Sequence, residues 1–229
     1  MTAAVVTLSV RETRMIAERI LLTNKLPMQF VPAVVNCVLY SQAMGHGGLP
    51  EFERSLDALA PCMPHNAPVL LGRESARRLD ARGRHAWLIA NDALDVALAD
   101  FRRAGRGVVT VSALADAAEL RVAEGLAERH RARAVVETGN GGAALQIVAD
   151  GLPGEDAVMR RALREGFTVP HELWRALYER SGEALTPDSI ESRRHAGPVM
   201  VDADGRVHGR DDDDTDFELL LGHKANERA

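Results

Sequence analysis

The segment Pro27–Met44 limits this chain more than any other, because its apolar residues run almost all the way round a helix. Phe30, Val31, Val34, Val35, Val38 and Leu39 fall all round a helix, and a helix apolar on every side belongs in an interior. Pro27 suits a first helical turn, Pro32 lies close enough to that start to be tolerated, and Gly45 supplies a C-terminal stop. The elements on either side are amphipathic and suited to covering it. Ser9 and Glu12 form an S-x-x-E capping box ahead of a helix from Val10 to about Thr23, closed by Asn24. Met15, Ile16, Ala17, Ile20 and Leu21 give that helix one apolar face. A third helix is predicted from Pro50, presenting Phe52, Leu56 and Leu59.

Length and composition admit such an interior. The chain has 229 residues, 46% hydrophobic and 27% charged, with a net charge of −5. That is too apolar for a disordered chain and too acidic for whole-chain attraction to nucleic acid. No run approaches the roughly 20 apolar residues of a membrane span. The N-terminus lacks the basic and apolar regions of a secretory signal, and two cysteines, Cys37 and Cys62, make no disulfide framework. The expectation is a cytoplasmic protein without nucleic-acid or membrane partners.

From residue 61 the pattern changes. Pro61, Pro64 and Pro68 mark a loop before a short strand at Val69–Leu71. Ala86–Ala90 reads as a buried strand, and Asn91 as the N-cap of a helix from Asp92 to about Ala104. Val108–Val111 is a second strand, Ser112 or Ala113 opens a helix through about His130, and Ala134–Glu137 is a third strand. Strands alternating with helices over short connections predict a parallel sheet. Ala143–Ala149 is ambiguous between strand and helix. Helices over Glu155–Glu165 and Pro170–Arg180 follow, the latter with Trp174 and Leu177 inward. Val199–Val201 and Arg206–His208 read as a β-hairpin. The predicted class is mixed α/β, one domain over 1–229. A helical layer (1–60) packs on a β-α-β-α-β body (61–150), followed by C-terminal helices and a hairpin (151–229).

Three segments hold candidate chemistry. His46 stands in Gly45-His46-Gly47-Gly48, where glycines let a ligand approach the backbone and an imidazole can move a proton. The alternative is a helix-ending turn with a solvent-facing histidine. Thr138-Gly139-Asn140-Gly141-Gly142-Ala143 follows a predicted strand and matches G-x-G-x-x-A, a pyrophosphate-binding turn for NAD(P). The alternatives there are a β-turn with Asn140 and Gly141 at positive φ, or an anion-binding nest of backbone amides. Pro187–Gly197 gathers Ser189, Ser192, Arg193, Arg194 and His195. Guanidinium, hydroxyls and amides are the equipment for holding a carboxylate or phosphate, unless the segment is a surface turn whose serines cap a helix. The run Asp211–Asp214 suits a divalent cation or a solvated stretch. Cys62-x-x-His65 is half a zinc motif with no second half nearby, so no metal site is expected.

Two stretches resemble a family of bacterial proteins known as domain of unknown function 3726. These are the opening helix pair with Leu8-Ser9-Val10-Arg11-Glu12 and Leu26-Pro27, and the later Leu173-Trp174-Arg175-Ala176-Leu177 with the P-x-S-x-x-S-R segment of Pro187, Ser189, Ser192 and Arg193. That resemblance implies no activity but draws weight to the two serines and the arginine. More faintly, the helix pair ending in Gly45-His46-Gly47 and followed by Leu49-Pro50 resembles the start of malate/L-lactate dehydrogenase-like oxidoreductases. Their S-H-G motif carries a catalytic histidine, and Gly45 stands where that motif has serine.

The reading that follows is an enzyme or enzyme subunit acting on a small anionic metabolite. Arg193 holds the anion, Ser189 and Ser192 donate hydrogen bonds, His46 transfers a proton, and Asn140 and Gly141 offer backbone contacts. No cofactor is required by the sequence. The first alternative is a non-catalytic partner in a homo- or hetero-oligomer formed through the N-terminal helices, since the apolar helix needs cover. The second is an NAD(P)-dependent oxidoreductase using Gly139–Gly142.

Overall fold

The computed structural model describes residues 4–59, 67–72, 77–139 and 142–185, with the backbone of 199–201 and 207–209. It divides into two units, Met1–Ala184 and Leu185–Ala229. The larger is mixed α/β with a helical N-terminal layer, in agreement with the predicted class. In the smaller unit, β8 (Val199–Val201) and β9 (Val207–Gly209) pair antiparallel. The predicted hairpin is present with its second strand one residue later.

Strand β1 (Val5–Leu8) leads into α1 (Val10–Thr23), where the capping box forms in both directions. Ser9 Oγ accepts from the Glu12 amide at 3.1 Å, and the Ser9 amide donates to Glu12 Oε2 at 2.8 Å. That hydrogen bonding holds the Glu12 carboxyl below its ordinary range. Next come α2 (Val31–Ala43), starting four residues later than the first turn expected at Pro27, and α3 (Gly48–Leu59). The apolar helix is indeed central. Val34, Val35, Cys37, Val38 and Leu39 are fully buried within this chain. Around α2 pack α1, α3, α5 (Val122–Arg129) and α6 (Ala157–Glu165). The Tyr40 hydroxyl donates to the Asp156 carboxylate, whose other oxygen caps α6 through the Met159 amide at 2.8 Å. The cover that α2 demands therefore comes from its own chain, and the motive for an oligomer through the N-terminal helices falls away.

The body is a five-stranded sheet ordered β2 (Val69–Leu71), β3 (Arg77–Asp80), β4 (Gly107–Ser112), β6 (Gly142–Ala149), β5 (Arg133–Gly139). Only β3 and β4 run parallel; the other pairs are antiparallel, which corrects the predicted parallel sheet. The reason is β6, the segment left ambiguous by sequence. It returns directly from β5, Gly139 opposite Gly142, and inserts between β5 and β4. Leu79, Val109, Val111, Leu145, Ile147 and Val136 point inward beneath α4 (Ala90–Ala104) and α5. Arg78, Thr110, Gln146, Val135 and Glu137 on the opposite face are exposed, the one-sided pattern of an antiparallel sheet.

Two more predictions change. Ala86–Ala90 is no strand: Ala86–Leu88 is a 3-10 turn running into α4 at Ala90, and its apolar character reflects insertion into the core. The helix expected from Ser112 starts only at Val122, after a 3-10 turn at Ala117–Arg121, because Ala113 and Asp116 adopt φ of 53° and 52°. A left-handed residue cannot continue a right-handed helix. Beyond α6, β7 (Phe167–Pro170) pairs antiparallel with β1, and α7 (His171–Gly182) packs on α1 with Leu177 buried.

Candidate functional site

His46 lies where α2 hands over to α3. The His46 amide donates to the Ser41 carbonyl at 2.9 Å and the Gly45 amide to Gln42 at 3.1 Å, with Gly45 at φ 79°. These are the two hydrogen bonds of a Schellman ending, in which a left-handed glycine closes the helix. Gly47, at φ 76°, turns the chain again, and α3 begins at Gly48. A Cβ on Gly48 would lie 2.2 Å from the Val38 carbonyl oxygen and 2.5 Å from the Gln42 amide nitrogen, so only glycine admits this approach. The Gln42 side chain accepts from the Leu49 amide at 3.0 Å, tying α2 to the start of α3. The His46 side chain is exposed.

A second histidine, unnoticed in the sequence, sits beyond the C-terminal ends of the parallel pair. After β3 and β4 the two segments continue side by side. Gly83 donates to Ala113 at 2.7 Å, Ala86 to Ala115 at 3.1 Å, and Ala115 back to Arg84 at 3.0 Å. Arg82, Ala113 and Asp116 all take left-handed φ there, at a cost of about 1 kcal/mol each or more. Between them His85 has no exposed side-chain surface, and its Nε2 is 3.2 Å from Oε1 of Glu51 on α3, itself 4% exposed. Asp116 Oδ2 is 3.8 Å from the same nitrogen and 48% exposed. Ser55 and Arg54 also donate to the Glu51 carboxylate. Alongside, the Trp87 indole donates to Glu119 Oε2 at 3.1 Å, and Ser41 Oγ lies 3.5 Å from that oxygen. Burial raises the Glu119 carboxyl above its usual range.

The protonation of His85 follows from its partners. The Trp87 amide donates to Nδ1 at 3.2 Å, so the proton of the neutral ring sits on Nε2 and faces Glu51. Imidazolium would carry hydrogen on both nitrogens and set Nδ1–H against the amide. Burial is the main force pushing this histidine down to about 4; Asp116 opposes it and Arg54 adds to it. The ligating atoms of Glu51, His85 and Asp116 lie within 4.8 Å of one another, close enough for a cation. An ion on Nε2 would force the proton to Nδ1 and break the Trp87 cap. The set therefore suits a clamp between α3 and the crossover loops better than a metal centre.

The remaining candidates divide as follows. Asn140 and Gly141, Ser189, Ser192 and Arg193, Cys62 and His65, and Asp211–Asp214 lie outside the described residues. The strands on either side of Asn140 and Gly141 are described: β5 ends at Gly139 and β6 begins at Gly142. A dinucleotide turn needs a helix after its strand, with amides aimed at the pyrophosphate, whereas the element that follows here is antiparallel strand β6. The motif's requirement for a following helix is therefore not met here. One signal for the His85 clamp was present in the sequence. Glu51, Ser55 and Leu59 share a stripe beside Phe52 and Leu56, and a glutamate on a buried stripe calls for a partner.

The mixed α/β fold is similar to that of several solved proteins. Its solved counterparts include a dehydrogenase from Sinorhizobium meliloti, with TM-score 0.56 and 10% identity over 78% of this chain and 100% of that one. Malate dehydrogenases from Entamoeba histolytica and Pyrococcus horikoshii score 0.46 each, at 10% and 11% identity. The matches cover 77% and 80% of this chain and 62% and 67% of theirs. At such identities the likeness is one of fold. No family model matches the chain, so the expected kinship with domain of unknown function 3726 finds no support there. No curated protein matches it either. No helix among the described residues is long and apolar enough to cross a membrane.

Proposed function

We propose that this chain is a metabolic enzyme or enzyme subunit of dehydrogenase-like fold that takes a small carboxylate-type metabolite beside the α2–α3 turn. His46 is its proton-transfer group; Arg193, Ser189 and Ser192, by their side-chain chemistry alone, are the groups suited to holding an anion. The observation that carries this reading is the mounting of His46. An exposed imidazole stands between two left-handed glycines, on a turn pinned by the Schellman hydrogen bonds and by Gln42. Two residues beyond it α3 begins, and the partial positive charge of a helix N-terminus favours an anion there. A rigid backbone under a reactive side chain lowers the cost of orienting it. The fold likeness to a dehydrogenase supports the reading as a metabolic enzyme. A nicotinamide cofactor is not assigned a site, since Gly139–Gly142 opens a strand.

The test is a thermal-shift panel of mono- and dicarboxylates on the full chain. A ligand at a hundred times its Kd stabilises by about 2.7 kcal/mol, a rise of about 5–10 °C for a chain this long. Arg193→Ala abolishes that rise while keeping the unliganded Tm. A full rise in Arg193→Ala, or none with any carboxylate on the wild-type chain, overturns the assignment.

A further inference from the structure

The outward face of the five-stranded sheet has a charge pattern that complements itself. By the pairing register, one row across the strands reads Leu71, Arg78, Thr110, Ala144, Glu137. Among these, Leu71, Arg78, Thr110 and Glu137 are exposed. The row is cationic towards β3, anionic at β5 and small in its middle. We propose that this face binds a second copy of the chain through a twofold axis parallel to the strands, passing between β4 and β6.

That axis turns the row onto itself. Strand β3 stacks over β5 of the second copy, Arg78 meets Glu137, and Thr110 meets Ala144. The symmetry repeats each contact, so every dimer has two Arg–Glu pairs at its flanks. Stacked sheets sit about 10 Å apart with strands within about 30° of alignment, an approach that short central side chains permit. The adjacent row places Val108 beside Gln146 and then Val135. Val135 is 42% exposed and adds apolar area on the same face. An axis perpendicular to the strands would instead stack β3 on β3 and set arginine against arginine, so the charges select one packing. This interface does not depend on the α2–α3 turn or its ligand.

Sedimentation of the full chain over a range of concentrations tests the proposal, with circular dichroism confirming the fold of each variant. The wild-type chain is expected to dimerise. Arg78→Glu places like charges at both flanks and weakens the dimer by at least about tenfold. The double exchange R78E/E137R restores association to near the wild-type constant. Thr110→Arg, which puts bulk and charge beside the axis, gives monomers without touching either partner of the pair. A wild-type chain that stays monomeric at every concentration overturns the proposal. So does a dimer indifferent to R78E and T110R, or a double exchange no better than the single one.

Discussion

The two described histidine settings next to α3 contrast in construction. At the α2–α3 turn the backbone is held and the side chain is free: glycines and helix-end hydrogen bonds fix the chain while His46 faces solvent. In the crossover loops the side chain itself is the fastening, since His85 caps a 3-10 turn with one nitrogen and donates to Glu51 with the other. The first arrangement leaves a proton-transfer group available at little cost in stability. The second spends the imidazole on stability and withdraws it from chemistry near neutral pH. A histidine's task is thus set by how many of its ring nitrogens the fold has already engaged.

The contrast can be broken most directly at His85. Replacing it by Ala removes a cap and a donor to a buried carboxylate and leaves a cavity, an expected loss of about 4 kcal/mol by denaturant titration. A loss under about 1 kcal/mol would show that the clamp is ornamental. Acid sharpens the same point. Burial pushes the His85 imidazole down to about 4 in the fold, from its ordinary 6.5. The unfolded chain therefore binds the extra proton first as pH falls. Its contribution is complete above pH 6.5, declines between 6.5 and 4, and levels off below. The difference amounts to about 3 kcal/mol. Unfolding followed across that window should show the decline in the wild-type chain and its absence in His85→Gln. The smallest effect belongs to His46→Ala, expected to alter stability by less than about 0.5 kcal/mol, as for an exposed side chain. A larger loss would mean that His46 too is a structural fastening.

Legibility followed the range of the interactions. Helix α1 was readable to both ends because its capping box lies within four residues. The Schellman turn was readable because Gly45 directly follows the periodic run. Strands β1 and β7 escaped notice: each is four residues long, and they find one another across most of the chain. Ala86–Ala90 misled because an apolar run of that length fits a buried strand or a buried helix start equally well. Nothing in the identity of Ala113 and Asp116 signals a left-handed backbone, so periodicity alone places the helix start too early. His85 was invisible for the plainest reason. Its partner Glu51 lies 34 residues away on another element.

Local pattern is enough to say which helix lies at the centre, where several helices start and stop, and that one histidine sits on a glycine turn. Those properties depend on periodicity, capping and backbone freedom, all of which act over a few residues. Tertiary structure alone decided that β6 enters the sheet antiparallel, that His85 and Glu51 meet, and that Arg78 and Glu137 share one row. Each of these is a choice of partner made among distant segments, and it is settled by which packing buries the most apolar surface while leaving no polar group unmatched.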